Sequence, residues 1–248
     1  MGFRFFLVAA LVVHRGHSFA TQPSRARCNP PSSITSSFRS SALRASAAAN
    51  EGSIQVARSD GSTHKLAYRI ARPMSLSSRQ AAPIVALHGG PSVPSSYLYP
   101  LEDVVPYRSI VFYDQLGCGR SGEPSDVSLY SIDDSVRDLK TLLKKLGLRR
   151  FHLYGQSYGG ILAFEYMKSL ASDNEDGVEC LSAILSSAPT DIREVEKEFD
   201  RITEQLSPPG KDVTEEELNE LFRKNHQCRT PEMPEVLVDA YANAGTVW

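Results

Sequence analysis

The residues best suited to chemistry in this chain are grouped around Ser157. A short apolar run, Phe151–Tyr154, is followed by Gly155–Gly160 (GQSYGG) and by a second apolar run at helical spacing, Ile161–Met167. This order predicts a strand, a sharp turn carrying the serine and a helix, the arrangement called a nucleophile elbow. Glycines leave room for so tight a turn, and the N–H groups that begin a helix stabilise negative charge. The pattern favours nucleophilic attack by a serine hydroxyl, with an ordinary glycine-rich strand–helix loop as the alternative.

Two further glycine-rich loops follow apolar runs that are typical of strands buried on both faces. Pro83–Leu87 leads into HGGPS at 88–92, and Ser109–Tyr113 leads into DQLGCGRS at 114–121. Such loops lie at the carboxyl edge of a parallel sheet, where ligands bind. Where glycine removes the side chain, a backbone N–H group can approach a ligand closely. We therefore expect both loops to border the same site as the serine turn.

Three side chains in these loops have less reactive interpretations. His88 is predicted to be held by the backbone and to support the site rather than transfer protons. Asp114 is predicted to be a structural acid that fixes a turn. Cys118 has no adjacent base and is predicted to be a small packed residue rather than a nucleophile.

Strand and helix patterns alternate around these motifs. The helix with the clearest pattern is Ser131–Leu146, where Ser131 and Asp134 form a weak capping box and Gly147 ends the helix. Another strand is predicted over Cys180–Ser187. Strands that alternate with helices from residue 83 to 187 indicate a parallel sheet with right-handed crossovers.

The folded part is predicted to begin near Gly52 with a hairpin. Its strands are Ser53–Arg58 and Lys65–Ala71, and the turn contains Asp60-Gly61. We expect a core domain over residues 51–188. Residue 189 onward, to 248, has three amphipathic helical patterns without strands and is predicted to be a lid, with a capping box at Thr214 and a helix opened by Pro234.

Residues 1–50 have the composition of a targeting leader. They contain six arginines and no acid, and the apolar run Phe5–Val13 is too short to span a bilayer. This predicts a signal core and a transit-like tract, removed from the mature protein, and a plastid location. Plain secretion with a disordered linker is the alternative. No membrane association is predicted after leader removal, and the net charge of −2 does not favour nucleic-acid binding.

The cysteines follow neither a metal nor a disulfide spacing. Cys28 lies in the leader, and Cys118, Cys180 and Cys228 leave an odd number in the body. An odd number argues for free thiols in a reducing compartment.

The three motifs together resemble those of the prolyl aminopeptidase (proline iminopeptidase) group of α/β-hydrolases, which includes the tricorn-interacting aminopeptidases. The motifs are HGGPS at 88–92, YDQLGCGRS at 113–121 and GQSYGG at 155–160, and the resemblance covers residues 52–248. It implies an α/β-hydrolase fold, with a mostly parallel sheet in three layers and a helical lid. It implies a serine hydrolase, without cofactor or metal, that removes N-terminal residues, proline preferred, from peptides.

The same resemblance implies residue roles. Ser157 matches the nucleophile, and Gly90 and Tyr158 match the backbone donors of the oxyanion hole. Four further residues of the motifs are implied to bind or support the substrate: His88, Gly89, Asp114 and Gln115. The chain has Ser92 where the family usually has glycine, and Leu116 where it often has arginine. These departures affect the expected substrate preference.

The family triad also needs an aspartate and a histidine, which the resemblance places on loops after two further strands, beyond Trp248. His152 and His226 are not credible bases from their positions. We therefore expect a C-terminally truncated enzyme whose last strands are missing. It would be inactive as given, with Cys180–Ser187 as an exposed sheet edge. Two alternatives stay open: an esterase or amidase acting on small molecules, and a non-catalytic pseudohydrolase that binds a ligand or partner through its lid. The oligomeric state is not predicted.

Overall fold

A mixed β-sheet of seven strands organises the chain in the computed structural model, which describes residues 11–14, 49–73, 81–173, 177–206 and 213–246. The spatial order of the strands is β1-β7-β6-β4-β5-β3-β2. Their bounds in chain order are β1 Leu11–His14, β2 Asn50–Ala57, β3 Thr63–Ala71, β4 Ile84–Leu87, β5 Ile110–Tyr113, β6 Arg150–Gln156 and β7 Glu179–Ser186.

The helices connect and cover these strands. They are α1 Leu101–Val104, α2 Ile132–Lys145, α3 Tyr158–Ser172, α4 Ile192–Leu206, α5 Glu215–Phe222 and α6 Glu235–Ala242. Two short 3₁₀ helices, Ser95–Leu98 and Val127–Leu129, and a π turn at Arg223–Gln227 add to them. The sequence patterns had predicted α2, α3 and the three helices of the lid, but not α1, the 3₁₀ helices or the π turn.

The central strands pair in parallel, as predicted. Strand β4 pairs with β5 on one side and with β6 on the other, and β6 pairs with β7. The apolar side chains of these strands belong to two hydrophobic cores, one on each face of the sheet. Val85 and Val111 lie in the core shared with α2 and α3, whereas Ala86 and Phe112 lie in the core beside Leu98 on the other face. Adjacent residues of one strand are thus buried on opposite faces, which explains why these strands are apolar throughout.

The strand order creates a switch point at the centre of the sheet. After β4 the chain enters the Ser95–Leu98 turn, which packs on the sheet face that contains Ala86 and Phe112. After β6 it enters α3, which packs on the opposite face. The loops that follow β4 and β6 therefore leave the sheet in opposite directions. Such a crevice at the carboxyl ends of strands is where open α/β sheets bind ligands.

Helix α2 begins and ends as the sequence predicted. The Ser131 side chain accepts a hydrogen bond from the N–H of Asp134 at 3.0 Å, which caps the first turn. Gly147 follows the helix with φ +66°, a conformation that glycine adopts without a steric penalty. The hairpin of β2 and β3 is also confirmed, with Ala57 opposite Thr63.

Three helices, α4, α5 and α6, lie within residues 189–248, where the sequence predicted the helices of a lid. Thr214 and Glu217 form the full capping box of α5, and Pro234 is the N-cap residue of α6. Phe199 of α4 packs against Phe222 of α5, with their ring centroids 4.8 Å apart. This aromatic contact joins the first two lid helices.

The edge beyond β7 differs from the prediction. We expected Cys180–Ser187 to be an exposed edge, but Leu11–His14 pairs antiparallel with it, from Leu11 opposite Leu185 to His14 opposite Ser182. Unpaired N–H and C=O groups on an edge strand readily accept another strand, which is the physical reason for such pairing. Apart from β1 and residues 49 and 50, the predicted leader lies outside the described residues, as do Cys28 and Trp248. No helix in the described ranges is long and apolar enough to cross a membrane.

Candidate active site

Ser157 lies at the turn between β6 and α3 in a strained backbone conformation. Its φ is 52° and its ψ is −120°, a region that non-glycine residues rarely adopt. Strain of this kind persists only where the surrounding structure holds it, and it concentrates at functional sites. Here the N–H of Ser157 donates to the carbonyl of Ser186 at 2.8 Å, while the Ser157 carbonyl accepts from the N–H of Gly160 at 2.8 Å. The elbow is tighter than predicted, because β6 continues to Gln156 and α3 already begins at Tyr158.

The glycines around the serine are required by direct backbone contact. A Cβ atom on Gly155 would lie 2.2 Å from the carbonyl oxygen of Gly159. A Cβ atom on Gly159 would lie 2.1 Å from the carbonyl oxygen of Leu87, at the end of β4. Both distances are far below van der Waals contact, so α3 can approach β4 this closely only without those side chains.

The loop after β4 lies against the elbow. An added Cβ on Gly89 would lie 2.9 Å from the Cβ of Ser157 and 2.5 Å from Oε1 of Gln156. Gly90 follows with φ +118°, where a side chain would collide with the backbone nitrogens of Ser92 and Val93. The loop and the serine are therefore in contact, as the shared sheet edge predicted.

His88 is buried completely and both of its ring nitrogens are engaged. Nε2 accepts the backbone N–H of Gln115 at 2.8 Å, so Nδ1 carries the proton and donates to the Gly89 carbonyl at 2.9 Å. The side-chain amide of Gln115 also donates to the His88 carbonyl at 2.8 Å. Burial lowers the pKa of His88, which favours the neutral ring. A neutral ring with both nitrogens bonded to the backbone has the geometry of a support, not of a general base.

Asp114 stabilises the loop after β5 through hydrogen bonds and does not face the cavity as a ligand group. Its Oδ1 accepts hydrogen bonds from the N–H (2.9 Å) and hydroxyl (2.7 Å) of Ser95, and its Oδ2 accepts the N–H of Arg120 at 3.0 Å. Its carbonyl accepts the hydroxyl of Ser121. The buried carboxylate thus ties the turn after β4 to the loop after β5.

The two residues that depart from the family pattern are both buried. Ser92 has a hydroxyl without a hydrogen-bond partner in the described part of the chain, and Leu116 is 4% exposed. Cys118 is also buried, with its sulfur 3.7 Å from Nε2 of His88. Burial raises the pKa of Cys118 well above its ordinary value, so the thiol stays protonated and unreactive.

Ser157 borders a cavity of about 430 Å³ between the sheet edge and the lid. The core contributes Gly89, Gly90, Tyr97, Tyr154 and further residues, and the lid contributes three side chains, Gln227, Leu237 and Tyr241. Gln227 donates a hydrogen bond to the Tyr241 hydroxyl at 2.9 Å, which fixes the polar part of the lid wall. Apolar and tyrosine side chains make up most of the lining. Such a cavity suits an uncharged group of modest size.

Tyr158, the other predicted oxyanion donor, opens α3. Its backbone N–H belongs to the first turn of that helix, where the helix dipole is positive. Its side chain packs away toward α2, with its hydroxyl 3.4 Å from that of Ser135, and burial raises the pKa of this phenol. The backbone rather than the side chain of Tyr158 is therefore the group available to a developing anion.

None of the histidine side chains that the structure describes hydrogen-bonds Ser157. His152, near the start of β6, hydrogen-bonds Ser182 of β7, and His226 packs on Phe222 in the lid. The hydroxyl of Ser157 makes no hydrogen bond within the described ranges, and those ranges contain no cluster of three metal-ligating side chains. A base for this hydroxyl is thus not found among the described side chains.

Several residues at the site were not predicted from the sequence. Gln156 precedes the serine, and Tyr97 lies in the 3₁₀ turn one step beyond the glycine loop. Gln156 lies within the GQSYGG motif, which assigned it no role, and the signal for Tyr97 was its proximity to the glycine loop. The lid residues Leu237 and Tyr241 had no signal beyond helical spacing.

Comparison with known proteins finds the α/β-hydrolase fold and relatives named proline iminopeptidase. A family model described as the alpha/beta hydrolase fold matches residues 82–206. The proline iminopeptidase of Lactobacillus acidophilus is 40% identical over 130 residues, which cover 51% of this chain and 43% of the relative. That of Saccharolobus solfataricus is 36% identical over 167 residues, covering 61% and 52%. These matches confirm the predicted resemblance.

Solved structures share the fold. The proline iminopeptidase of Mycobacterium smegmatis matches with a TM-score of 0.61 at 21% identity, covering 77% of this chain and 66% of that one. The structure of VinJ matches with the same values. The predicted fold class is therefore confirmed. The chain spans about half the length of the curated relatives it matches.

Proposed function

Because the chain belongs to the α/β-hydrolase fold family, we propose that it is a serine hydrolase of the proline iminopeptidase type, with Ser157 as its nucleophile. The observation that carries this proposal is the backbone of Ser157, strained at φ 52° and placed beside the cavity between Gly90 and the start of α3. Relatives named proline iminopeptidase support a peptide substrate with an N-terminal proline.

The proposed reaction follows the acyl-transfer scheme. The Ser157 oxygen attacks the scissile carbonyl carbon while its proton passes to a base, and the C–N bond then breaks as the amine leaves with a proton. Backbone N–H groups of Gly90 and Tyr158 stabilise the negative carbonyl oxygen in between. Water releases the acyl group in the second half. The base, a histidine oriented by an aspartate, is assigned to residues outside the described ranges.

The cavity lining favours a second candidate, an esterase or amidase acting on neutral small molecules. Tyr97, Tyr154, Leu237 and Tyr241 make the wall largely apolar with hydroxyl groups at intervals. An uncharged acyl group can be buried there at little desolvation cost. A protonated amino terminus is bound best by a carboxylate, which would have to come from outside the residues that line the described cavity.

The test uses prolyl and alanyl arylamides together with nitrophenyl esters of short neutral acids. They are assayed with the chain of 248 residues and with a version extended C-terminally to the length of its relatives. We expect turnover by the extended version, loss of at least about 10³-fold in Ser157→Ala, and no loss in Ser172→Ala, a hydroxyl at the exposed end of the same helix.

The outcomes separate the candidates. Prolyl arylamide hydrolysis supports the peptidase, and ester hydrolysis without arylamide hydrolysis supports the esterase. Retained turnover in Ser157→Ala would rule out this serine. A folded extended chain that binds ligand without turnover would instead support a non-catalytic pseudohydrolase.

A further inference from the structure

The hydroxyl of Tyr97 joins the two halves of the candidate site. It accepts the backbone N–H of Gly89 at 2.8 Å and donates to Oε1 of Gln156 at 2.5 Å. Gln156 directly precedes Ser157, and Gly89 directly precedes Gly90. One side chain, from the 3₁₀ turn Ser95–Leu98, therefore bridges the glycine loop after β4 and the elbow after β6.

The directions of these two bonds follow from chemistry. A backbone N–H can only donate, so the Tyr97 oxygen is the acceptor toward Gly89. The phenolic proton is then left for Gln156, whose amide oxygen can only accept. Burial raises the pKa of Tyr97, which keeps that proton in place. The bridge thus consists of two hydrogen bonds made by a neutral hydroxyl, and the aromatic ring alone cannot form it.

The neighbouring bonds fix two successive peptide planes. The plane between His88 and Gly89 is held at its N–H by Tyr97 and at its carbonyl by Gln115. The plane between Gly89 and Gly90 is held at its carbonyl by the His88 ring. In a trans peptide the C=O and N–H groups point in opposite directions, so the N–H of Gly90 is turned away from His88.

The N–H of Gly90 donates to no group in the described part of the chain, and Gly90 lines the cavity beside Ser157. An oriented N–H without a partner at the cavity wall is suited to bind an oxyanion. We propose that Tyr97 is a positioning residue. Its hydroxyl holds the Gly89 peptide against Gln156 and so keeps the Gly90 N–H aimed at the oxygen that becomes negative when Ser157 attacks. This inference rests on the proposed function.

The variant that tests it is Tyr97→Phe, which keeps the ring and removes the hydroxyl. The matched control is Tyr99→Phe, because the Tyr99 hydroxyl contacts Arg120 at 3.4 Å instead of the glycine loop. The first measurement is amide hydrogen exchange of Gly89 in the full chain by NMR, together with the melting temperature. We expect exchange at Gly89 to become at least about tenfold faster in Tyr97→Phe and to stay unchanged in Tyr99→Phe.

The second measurement is arylamide or ester kinetics with the extended chain. Loss of a whole oxyanion donor costs about 10²–10³ in kcat, so a misaimed donor is expected to lower kcat about tenfold or more with KM within about twofold. Unchanged exchange at Gly89 would overturn the proposal. So would faster exchange accompanied by the kinetics of Tyr99→Phe, since a merely structural tyrosine would give that result.

Failure of the proposed function gives a different pattern. If no variant, the parent included, hydrolyses any substrate, the hydrolase assignment fails. The exchange of Gly89 then still decides whether Tyr97 holds the loop.

Discussion

A buried ion pair between the first hairpin and α2 provides the sharpest stability prediction. Arg58 donates from Nη1 and Nη2 to the two carboxylate oxygens of Asp138, at 2.8 and 2.7 Å, and from Nε to the carbonyl of Leu129 at 3.0 Å. The side chains are 2% and 6% exposed. The planar guanidinium thus satisfies a carboxylate on both oxygens, out of reach of water.

Removal of one partner should lower the free energy of unfolding by much more than the net contribution of the intact ion pair. In Asp138→Asn the guanidinium of Arg58 keeps its buried charge but loses its bidentate partner, and the carboxylate of Asp134 remains 4.0 Å from Nε. A loss of this kind costs about 3–5 kcal/mol. For a chain of this size each kcal/mol corresponds to roughly 2–4 °C, so the melting temperature should fall by roughly 6–20 °C. Arg58→Met should also destabilise, because it leaves the buried Asp138 carboxylate without its bidentate donor.

The assay is a double-mutant cycle by urea unfolding. The double variant Arg58→Met/Asp138→Leu removes both charges and should be clearly more stable than the sum of the single losses predicts. The control is the exposed pair Arg150–Glu179, with nitrogen and oxygen 2.9 Å apart, which should give a coupling below about 1 kcal/mol. Additive losses at Arg58 and Asp138, or a coupling no larger than that of the control pair, would refute this reasoning.

Two further predictions concern the residues that frame the site. Gly159→Ala should lower the free energy of unfolding by about 3 kcal/mol, because its Cβ would collide with a β4 carbonyl oxygen 2.1 Å away. The control Gly122→Ala, whose Cβ would lie 3.5 Å from its nearest neighbour, should change that free energy by under about 0.5 kcal/mol in urea melts. Equal effects of the two substitutions would contradict the steric explanation. For His88 the pKa is lowered in the folded state, so the unfolded chain binds more protons below pH about 6.5, and stability should fall between pH 7 and 5 by up to about 2 kcal/mol. His88→Gln should show a shallower pH dependence, and an unchanged slope would argue against a buried neutral ring.

Local patterns predicted the parts of the fold that local physics decides. The elbow glycines were recognisable because a turn with Ser157 at positive φ excludes side chains from its neighbours, whatever the rest of the chain does. The helix α2 was recognisable from its cap and its apolar spacing. The strands β4 and β5 were recognisable because burial on both faces removes polar residues from them.

Contacts between distant segments could not be predicted in this way. Arg58 and Asp138 are 80 residues apart, and neither position has a local signal for its partner. The bridge from Tyr97 to Gln156 spans 59 residues and depends on a 3₁₀ turn that has no periodic pattern. The edge pairing of β7 was missed because pairing of an edge depends on which segment reaches it, not on the edge itself.

The hydrogen bonds of Asp114, His88 and Tyr97 close within the core, whereas the N–H of Gly245, in the lid segment, donates to the carbonyl of Ser92 at 2.9 Å. The Asp114 carboxylate accepts hydrogen bonds from Ser95 and Arg120, the His88 ring accepts one from the N–H of Gln115, and the Tyr97 hydroxyl donates one to Gln156. The proposed anion-binding half of the site is therefore built from the loops after β4, β5 and β6, and the Gly245 contact supports the first of these loops from outside. The lid adds a wall, through Gln227, Leu237 and Tyr241, and can alter which acyl group fits.

The proposed nucleophile and anion site are held by contacts that do not include the proposed base. The serine turn and the N–H of Gly90 are held by contacts among residues 87–160 and by the hydrogen bond from the Ser157 N–H to the Ser186 carbonyl. In the proposed mechanism, none of these contacts involves the residue that accepts the serine proton. A base contributed by another segment would act on a nucleophile and an anion site that already have their final arrangement. Preorganised donors of this kind lower the barrier because they need no rearrangement as charge develops. Substitutions at Tyr97 and at the proposed base should consequently lower kcat for different reasons, the first through stabilisation of the anion and the second through transfer of the proton.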